Sequence, residues 1–243
     1  MSSYESLDFW SIKAQKEGYP ARSVYKLKEM DEKFGLFRSV SRGSRGSKGS
    51  AGSGPHAVKD GTGDKGGDAM NGVGKPENLE AGFRVLDIGA APGSWSLYAL
   101  RRIGRSGALV SVDLSPLSRV YDQGLFEGEN FFFIQGDITD PAVRTQLLER
   151  GPYHLVMSDV APATTGNRSV DTLRSLALAE EVVSYAEASL MVGGSLVVKV
   201  FQGGDTAEIL KQLRSLFATG RSFKPQACRA ESFETYYLGL GKK

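Results

Sequence analysis

Cysteine and histidine are almost missing from this chain. Its 243 residues include one cysteine, Cys228, and two histidines, His56 and His154. A lone thiol builds neither a disulfide framework nor a cysteine-based zinc site. A histidine-pair metal centre or a Ser-His-Asp triad would have to recruit one of these two imidazoles. His56 lies in low-complexity sequence, and His154 opens the apolar segment YHLVMSD, where a packed core or edge histidine is expected. Acid–base work therefore falls to lysine or carboxylates, and no metal is expected. Long hydrophobic runs are missing as well: none approaches the roughly 18 apolar residues of a spanning helix. The opening MSSYESLDFWSIK carries Glu5 and Asp8 and lacks the apolar segment of a secretion signal. The expectation is a soluble, cytoplasmic protein with no membrane association, and a monomer.

Excess charge of one sign is also absent overall, with 30 Lys and Arg against 28 Asp and Glu. The layout is polarised, however. Residues 1–48 hold ten basic side chains against six acidic ones, and residues 210–243 hold seven against two. The middle of the chain is correspondingly acidic. Basic ends around an acidic centre suit polyanion binding if the two ends meet in the fold.

One stretch has nothing to bury. Residues 41–76 contain eleven glycines and no Leu, Ile, Phe, Tyr or Trp. Such a composition cannot offset the entropy of ordering. We read 38–80 as a flexible Gly/Ser-rich insertion, with Arg42, Arg45 and Lys48 at its start. It separates an N-terminal helical segment, 1–37, from a core domain, 81–243. In the first segment Val24, Leu27 and Met30 form one helical stripe, with Ser23 available as an N-cap.

From Phe83 onward, strand-like and helix-like patterns alternate. RVLDIG, ALVSVDL, FFFIQGDI, HLVMSDVA and SLVVKVF are short and apolar, as strands covered on both faces should be. SWSLYALRRIG, PAVRTQLLERG, VDTLRSLALAEEVVSYAEASL and DTAEILKQLRSLF lie between or after them with helical spacing. ETYYLGLGKK reads as a closing strand. The alternation predicts an α/β fold, an open, doubly wound, mostly parallel Rossmann-like sheet with helices on both faces.

Ligands bind such sheets beyond the carboxyl ends of their strands. The first strand runs into Asp87-Ile88-Gly89-Ala90-Ala91-Pro92-Gly93-Ser94-Trp95, whose small residues permit close backbone approach. This is not the GxGxxG of a pyrophosphate-binding turn. That absence, and the lack of a Tyr-x-x-x-Lys pair after the fifth strand, argue against a nicotinamide-dependent reductase. The second strand ends in Asp113, placed to accept both hydroxyls of an adenosine ribose. The third ends in Gly136-Asp137, a carboxylate suited to an adenine amine, and the fourth in Asp159. Acids at consecutive strand ends point to a positively charged, adenosine-type ligand. Lys199 stands out on local grounds, because it interrupts the apolar strand Leu196–Phe201, where lysine is rare.

Several segments in order resemble the RrmJ/FtsJ ribose 2′-O-methyltransferases. They are RSVYKLKEM, VLDIGAAPGSWS, SVDLSP, FIQGDITD, VMSDVAPATTGN, LVVKVFQG and RAESFETYYL, and they span nearly the whole chain outside 38–80. The resemblance implies a Lys-Asp-Lys-Glu catalytic site of Lys26, Asp159, Lys199 and Glu234, with Lys199 as base. Spacing alone does not choose Lys199 over Lys26. The resemblance further implies S-adenosylmethionine as cofactor, contacted by Gly93, Trp95, Asp113, Asp137 and Asp159. It also implies an RNA substrate contacted by the N-terminal helical segment, a uridine of large-subunit ribosomal RNA in the bacterial type. A tRNA ribose, or a non-catalytic RNA-binding module on a methyltransferase shell, stand as alternatives. Ser94 departs from the glycine usual in bacterial members.

Overall fold

The structure, a computed structural model, describes residues 8–38, 82–203, 206–229 and 232–243. The insertion expected over 38–80 lies outside the described residues apart from Arg38, and so do Arg42, Arg45, Lys48 and His56.

The N-terminal segment forms α1 (Phe9–Lys16) and α2 (Val24–Phe34). Asp8 caps α1 by accepting the Ser11 N–H at 2.9 Å. Val24, Leu27 and Met30 are fully buried, as their spacing predicts. Each such burial contributes about 1.5–3 kcal/mol, so packing holds α2 in place more than propensity does. Ser23 corrects one expectation. It occupies the N-cap position, but its backbone is already helical (φ −57°, ψ −22°) and its hydroxyl makes no capping bond. A cap needs extended backbone there to aim the side chain back at the free N–H groups. Instead, the Ser23 carbonyl accepts the indole N–H of Trp95 at 2.9 Å.

The core runs β1 (Arg84–Ile88), α3 (Ser94–Ile103), β2 (Ala108–Asp113), β3 (Phe131–Gln135), α4 (Pro141–Glu149) and β4 (Tyr153–Ser158). It continues through α5 (Arg168–Ser189), β5 (Leu190–Phe201), α6 (Thr206–Leu216), β6 (Phe217–Phe223) and β7 (Glu234–Lys242). The sheet order is β3-β2-β1-β4-β5-β7-β6. Strands β1 to β5 pair in parallel, whereas β7 pairs antiparallel with both β5 and β6. One face buries Leu27, Trp95, Leu97 and Tyr236 under α1 to α3. The other buries Tyr153, Tyr185, Val198 and Leu213 under α4 to α6. This is the doubly wound sheet that the alternation predicts.

Strand β6 has no counterpart in the sequence reading. Its residues, Phe217-Ala218-Thr219-Gly220-Arg221-Ser222-Phe223, show no apolar run because they form a half-exposed sheet edge. Gly239 on β7 makes room for it, since a Cβ there would lie 2.5 Å from the Phe217 ring. His154 has the packing role expected of it. Its ring stacks on Phe83 at 4.7 Å, and Nδ1 accepts the Arg84 N–H at 3.0 Å. Among the described residues no helix is long and apolar enough to cross a membrane.

Candidate active site

The carboxyl ends of β1, β2, β3 and β4 open into a cleft of about 540 Å³ lined by Gly89, Asp113, Asp137, Asp159 and Pro162, among others. Gly89 sets how closely its walls approach. Its φ is +79°, and a Cβ there would lie 2.7 Å from the Val160 backbone, so only glycine lets the turn after β1 pack on the chain leaving β4. Asp113 holds the turn's shape: one oxygen accepts the Ala91 N–H at 2.9 Å and the other the Ser115 N–H at 2.8 Å. Asp137 is exposed in the cleft, and bonds from the Thr139 N–H and hydroxyl keep its carboxyl below the ordinary range.

Beneath the cleft lies a buried carboxylate that the sequence reading quoted but did not assign. Asp87 accepts the Ser96 hydroxyl at 2.6 Å on Oδ2, while Oδ1 is buried without a partner. Burial, reinforced by the charges of Asp159 and Asp113, pushes its pKa up to about 7. The signal was available: a carboxylate inside the apolar run RVLDIG is as anomalous as the lysine in LVVKVF. Three carboxylates lining the cleft, Asp113, Asp137 and Asp159, with the orphaned Asp87 oxygen beneath them, fit a cationic adenosine-type cofactor.

Asp87 also gives a pH prediction. Its folded-state pKa lies above the unfolded value of 3.8, so the native protein holds the extra proton and loses stability as pH rises between those values. The thermal midpoint of Asp87→Asn, relative to the parent, should therefore climb from about pH 4 to about pH 7 and then level off. Calorimetric scans across that range check it, and a flat difference refutes the buried neutral carboxyl.

Beside the cleft, four side chains from four elements meet. Lys199 comes from the end of β5, and its Nζ donates to the Asp159 carbonyl at 2.5 Å and lies 3.2 Å from Asp159 Oδ1. Lys26 comes from α2 and pairs with Glu234 Oε1, at the start of β7, at 2.7 Å. Their side chains are 8–16% exposed, so both ion pairs are largely removed from water. Burial alone would raise the Asp159 pKa, but Lys199 and Lys26 outweigh it and hold the carboxyl low. Burial alone would lower the Lys26 pKa, but Asp159 and Glu234 outweigh it and hold the ammonium on.

A fifth member escaped the sequence reading. The fully buried Tyr236 donates its hydroxyl to Asp159 Oδ1 at 2.6 Å. Burial and the Asp159 charge keep that hydroxyl protonated. Strand period two places Tyr236 on the same face as Glu234, and the register sets it directly across from Lys199. The register could not be read from sequence, though the pattern Glu-Thr-Tyr offered the residue. Cys228 adjoins Glu234 and Lys26, and burial together with Glu234 pushes its thiol up to about 12, so it stays neutral.

The expected cofactor residues do not all lie together. Asp113, Asp137 and Asp159 line the cleft, whereas Gly93 and Trp95 are not among its lining residues. Gly93 begins α3 at φ +110° against Phe126. Trp95 is buried between Ser23 and Tyr236, its ring 5.9 Å from the tyrosine. Ser94 has a use of its own: its hydroxyl accepts the Ala21 N–H at 2.8 Å and donates to the Ala21 carbonyl at 3.1 Å. It thereby ties α3 to the segment that positions Lys26.

Among the described residues, the N-terminal and C-terminal basic segments touch at two points. Arg22 donates to the Ala227 carbonyl at 2.6 Å, and the Gln226 N–H to Glu29 at 2.7 Å. No group of three or more His, Cys, Asp or Glu among the described residues could hold a metal ion.

A sequence model of the FtsJ-like methyltransferases matches residues 69–242. A protein of Treponema denticola named Ribosomal RNA large subunit methyltransferase E is 45% identical over 241 residues, covering 99% of this chain and 97% of that one. Its namesake from Borrelia garinii subsp. bavariensis is 40% identical over 236 residues, covering 97% of each. A crystal structure described as a ribosomal RNA methyltransferase from Plasmodium falciparum superposes with a TM-score of 0.63 at 21% identity, over 92% of this chain and 98% of that one. It shares the fold.

Proposed function

The chain belongs to the FtsJ-like methyltransferase family, and on that premise we propose that it transfers a methyl group from S-adenosylmethionine to the ribose 2′-hydroxyl of a nucleotide in large-subunit ribosomal RNA. The observation that carries this reading is the convergence of Lys26, Asp159, Lys199 and Glu234 beside an acidic cleft. The names of the relatives point to large-subunit ribosomal RNA, and the joined basic ends supply a surface for it.

The residues present suit this chemistry. S-adenosylmethionine, when bound, supplies an electrophilic methyl group on a cationic sulfonium. The acids at the ends of β2, β3 and β4 are placed for a cationic adenosine-bearing molecule. A ribose hydroxyl is a poor nucleophile until a positioned base takes its proton. Lys26 is held charged by Asp159 and Glu234, which suits an orienting cation. The family resemblance assigns the base to Lys199, which lies 3.2 Å from Asp159, a residue lining the cleft. Lys26 then orients the hydroxyl as a fixed cation, and Glu234 holds Lys26. Asp159, steadied by the Tyr236 hydroxyl, holds Lys199 and faces the cofactor side. The group aligns the acceptor oxygen with the methyl carbon, where geometry is worth much of the barrier.

The test is transfer of labelled methyl to large-subunit ribosomal RNA purified from cells lacking this gene, with tRNA from the same cells as a parallel substrate. Label should appear in alkali-resistant dinucleotides of the ribosomal RNA, because a 2′-O-methyl group blocks hydrolysis at that linkage. Label in tRNA alone, or in bases, would refute the reading. For the cofactor, Asp113→Ala should weaken S-adenosylmethionine binding by about 1–3 kcal/mol, the scale for bonds to a charged group. Titration calorimetry checks this, and unchanged affinity removes Asp113 from the site.

A further inference from the structure

We propose that a second cavity, between the first turns of α5 and the chain leaving β5, receives the RNA nucleotide adjacent to the one that is methylated. The inference rests on the proposed function and extends it to the opposite face of the sheet. The cavity, of about 340 Å³, is lined by Arg168, Ser169, Thr172, Leu173, Leu176 and Gly203. Helical spacing sets all five α5 residues on one stripe of that helix.

Its chemistry is that of a nucleotide subsite. Leu173 is 64% exposed, so its apolar side chain is open to a ligand in the cavity. The Arg168 guanidinium lies over the Phe233 ring, 5.2 Å from its centroid, and Phe233 meets Phe201 edge-on at 4.7 Å. No carboxylate among the described residues pairs with Arg168. The nearest acid in sequence, Asp171, is turned to Thr165, accepting its N–H at 2.7 Å and its hydroxyl at 2.8 Å. A guanidinium on an aromatic ring, with no carboxylate partner among the described residues, offers a phosphate contact and a stacking plane. The Leu173 and Leu176 side chains offer an apolar floor for a base, and Ser169 and Thr172 offer hydroxyls to its edge.

Its position ties it to the reaction. Phe233 directly precedes Glu234, and Gly203 lies four residues beyond Lys199. The Phe201 N–H donates to Ser175 Oγ at 3.0 Å, and the Gln202 N–H to the Phe233 carbonyl at 2.7 Å. These bonds fasten α5, β5 and the entry to β7 into one wall. Gly203, at φ +137°, holds a backbone conformation that favours glycine, and it faces Thr172 across the cavity. Lys26 approaches the reacting centre from the α2 face, and this wall closes it on the α5 face. A strand whose reacting ribose lies at Lys199 would meet a guanidinium and an apolar floor along this same wall.

The test uses Leu173→Glu, at an exposed position that tolerates the change, and Arg168→Ala. The substrate is the same ribosomal RNA from cells lacking the gene. Leu173→Glu should raise KM for that RNA about tenfold or more, with kcat within twofold of the parent and S-adenosylmethionine affinity unchanged. Arg168→Ala should raise Kd for the RNA and lower the salt slope of log Kd by about one. If both variants keep the parental KM, Kd and salt slope, or lose kcat alone, the cavity is not a nucleotide subsite. Filter retention of the RNA without cofactor reads the cavity independently of transfer. A protein that binds RNA through Arg168 but transfers no methyl would sink the proposed function and leave this inference standing.

Discussion

Lys199→Ala is expected to bind S-adenosylmethionine and RNA nearly as well as the parent and to lose roughly 10²–10⁴-fold in single-turnover methyl transfer, the usual cost of a missing general base. The argument starts from its surroundings. The Lys199 amine sits beside Asp159, which lines the acidic cleft, and is anchored by the Asp159 carbonyl at 2.5 Å and by Asp159 Oδ1 at 3.2 Å. Its neighbour Lys26 is held as a cation by Asp159 and Glu234, which suits an orienting role. Only a neutral amine accepts a proton, and the parental rate should therefore rise with pH. The conservative variant separates two roles. Arginine keeps the charge but stays protonated in proteins. Lys199→Arg should consequently lose as much transfer as Lys199→Ala if proton acceptance is the role. Should Lys199→Arg stay near the parental rate, or Lys199→Ala keep more than about a tenth of it, the base is another group. Glu234→Ala should cost less than either, because it removes the anchor of Lys26 and leaves Lys199 in place.

Asp159→Ala should be the most destabilising change at the site, by about 3–5 kcal/mol, and should also abolish most transfer. One carboxylate there balances Lys199, contributes to holding Lys26 charged and accepts the Tyr236 hydroxyl at 2.6 Å. Removing it leaves a buried ammonium uncompensated and a buried hydroxyl without its acceptor, and the desolvation already paid is not returned. Asp159→Asn keeps an acceptor for Tyr236 and should fall between parent and Ala. Urea unfolding followed by tryptophan fluorescence measures both. A loss below about 1 kcal/mol for Asp159→Ala would mean that water reaches the pair as it does at a surface. The pH dependence has a definite sign. The folded-state pKa of Asp159 lies below its ordinary value of 3.8, so its contribution is present above that pH and is lost as pH falls through the lower, folded value.

Much of the fold was legible because it is written in local periods. Buried parallel strands must be apolar on both faces, and the helices between them must show a stripe, so RVLDIG, ALVSVDL and SLVVKVF announced themselves. β6 did not, because an edge strand buries little, and Thr219, Gly220 and Arg221 carry no period-two signal. The order of strands along the chain was plain. Their order in space, with β7 inserted between β5 and β6, was not.

The chain by itself determined which chemistry is available: scarce thiols and imidazoles, acids at successive strand ends, and a lysine inside an apolar strand. It also carried the ordered motifs of its family. Only the tertiary structure decided which of these residues act together. Lys26 and Glu234 are separated by more than two hundred positions, yet they pair at 2.7 Å because α2 packs on the sheet face where β7 begins. Tyr236 reaches Asp159 because antiparallel register sets it across from Lys199, and Trp95 is drawn behind the site by the Ser23 carbonyl. Local sequence fixes backbone periods and side-chain types. Which side chains meet depends on the burial of whole faces, and that free energy belongs to the assembled sheet and helices, to which residues from every part of the chain contribute.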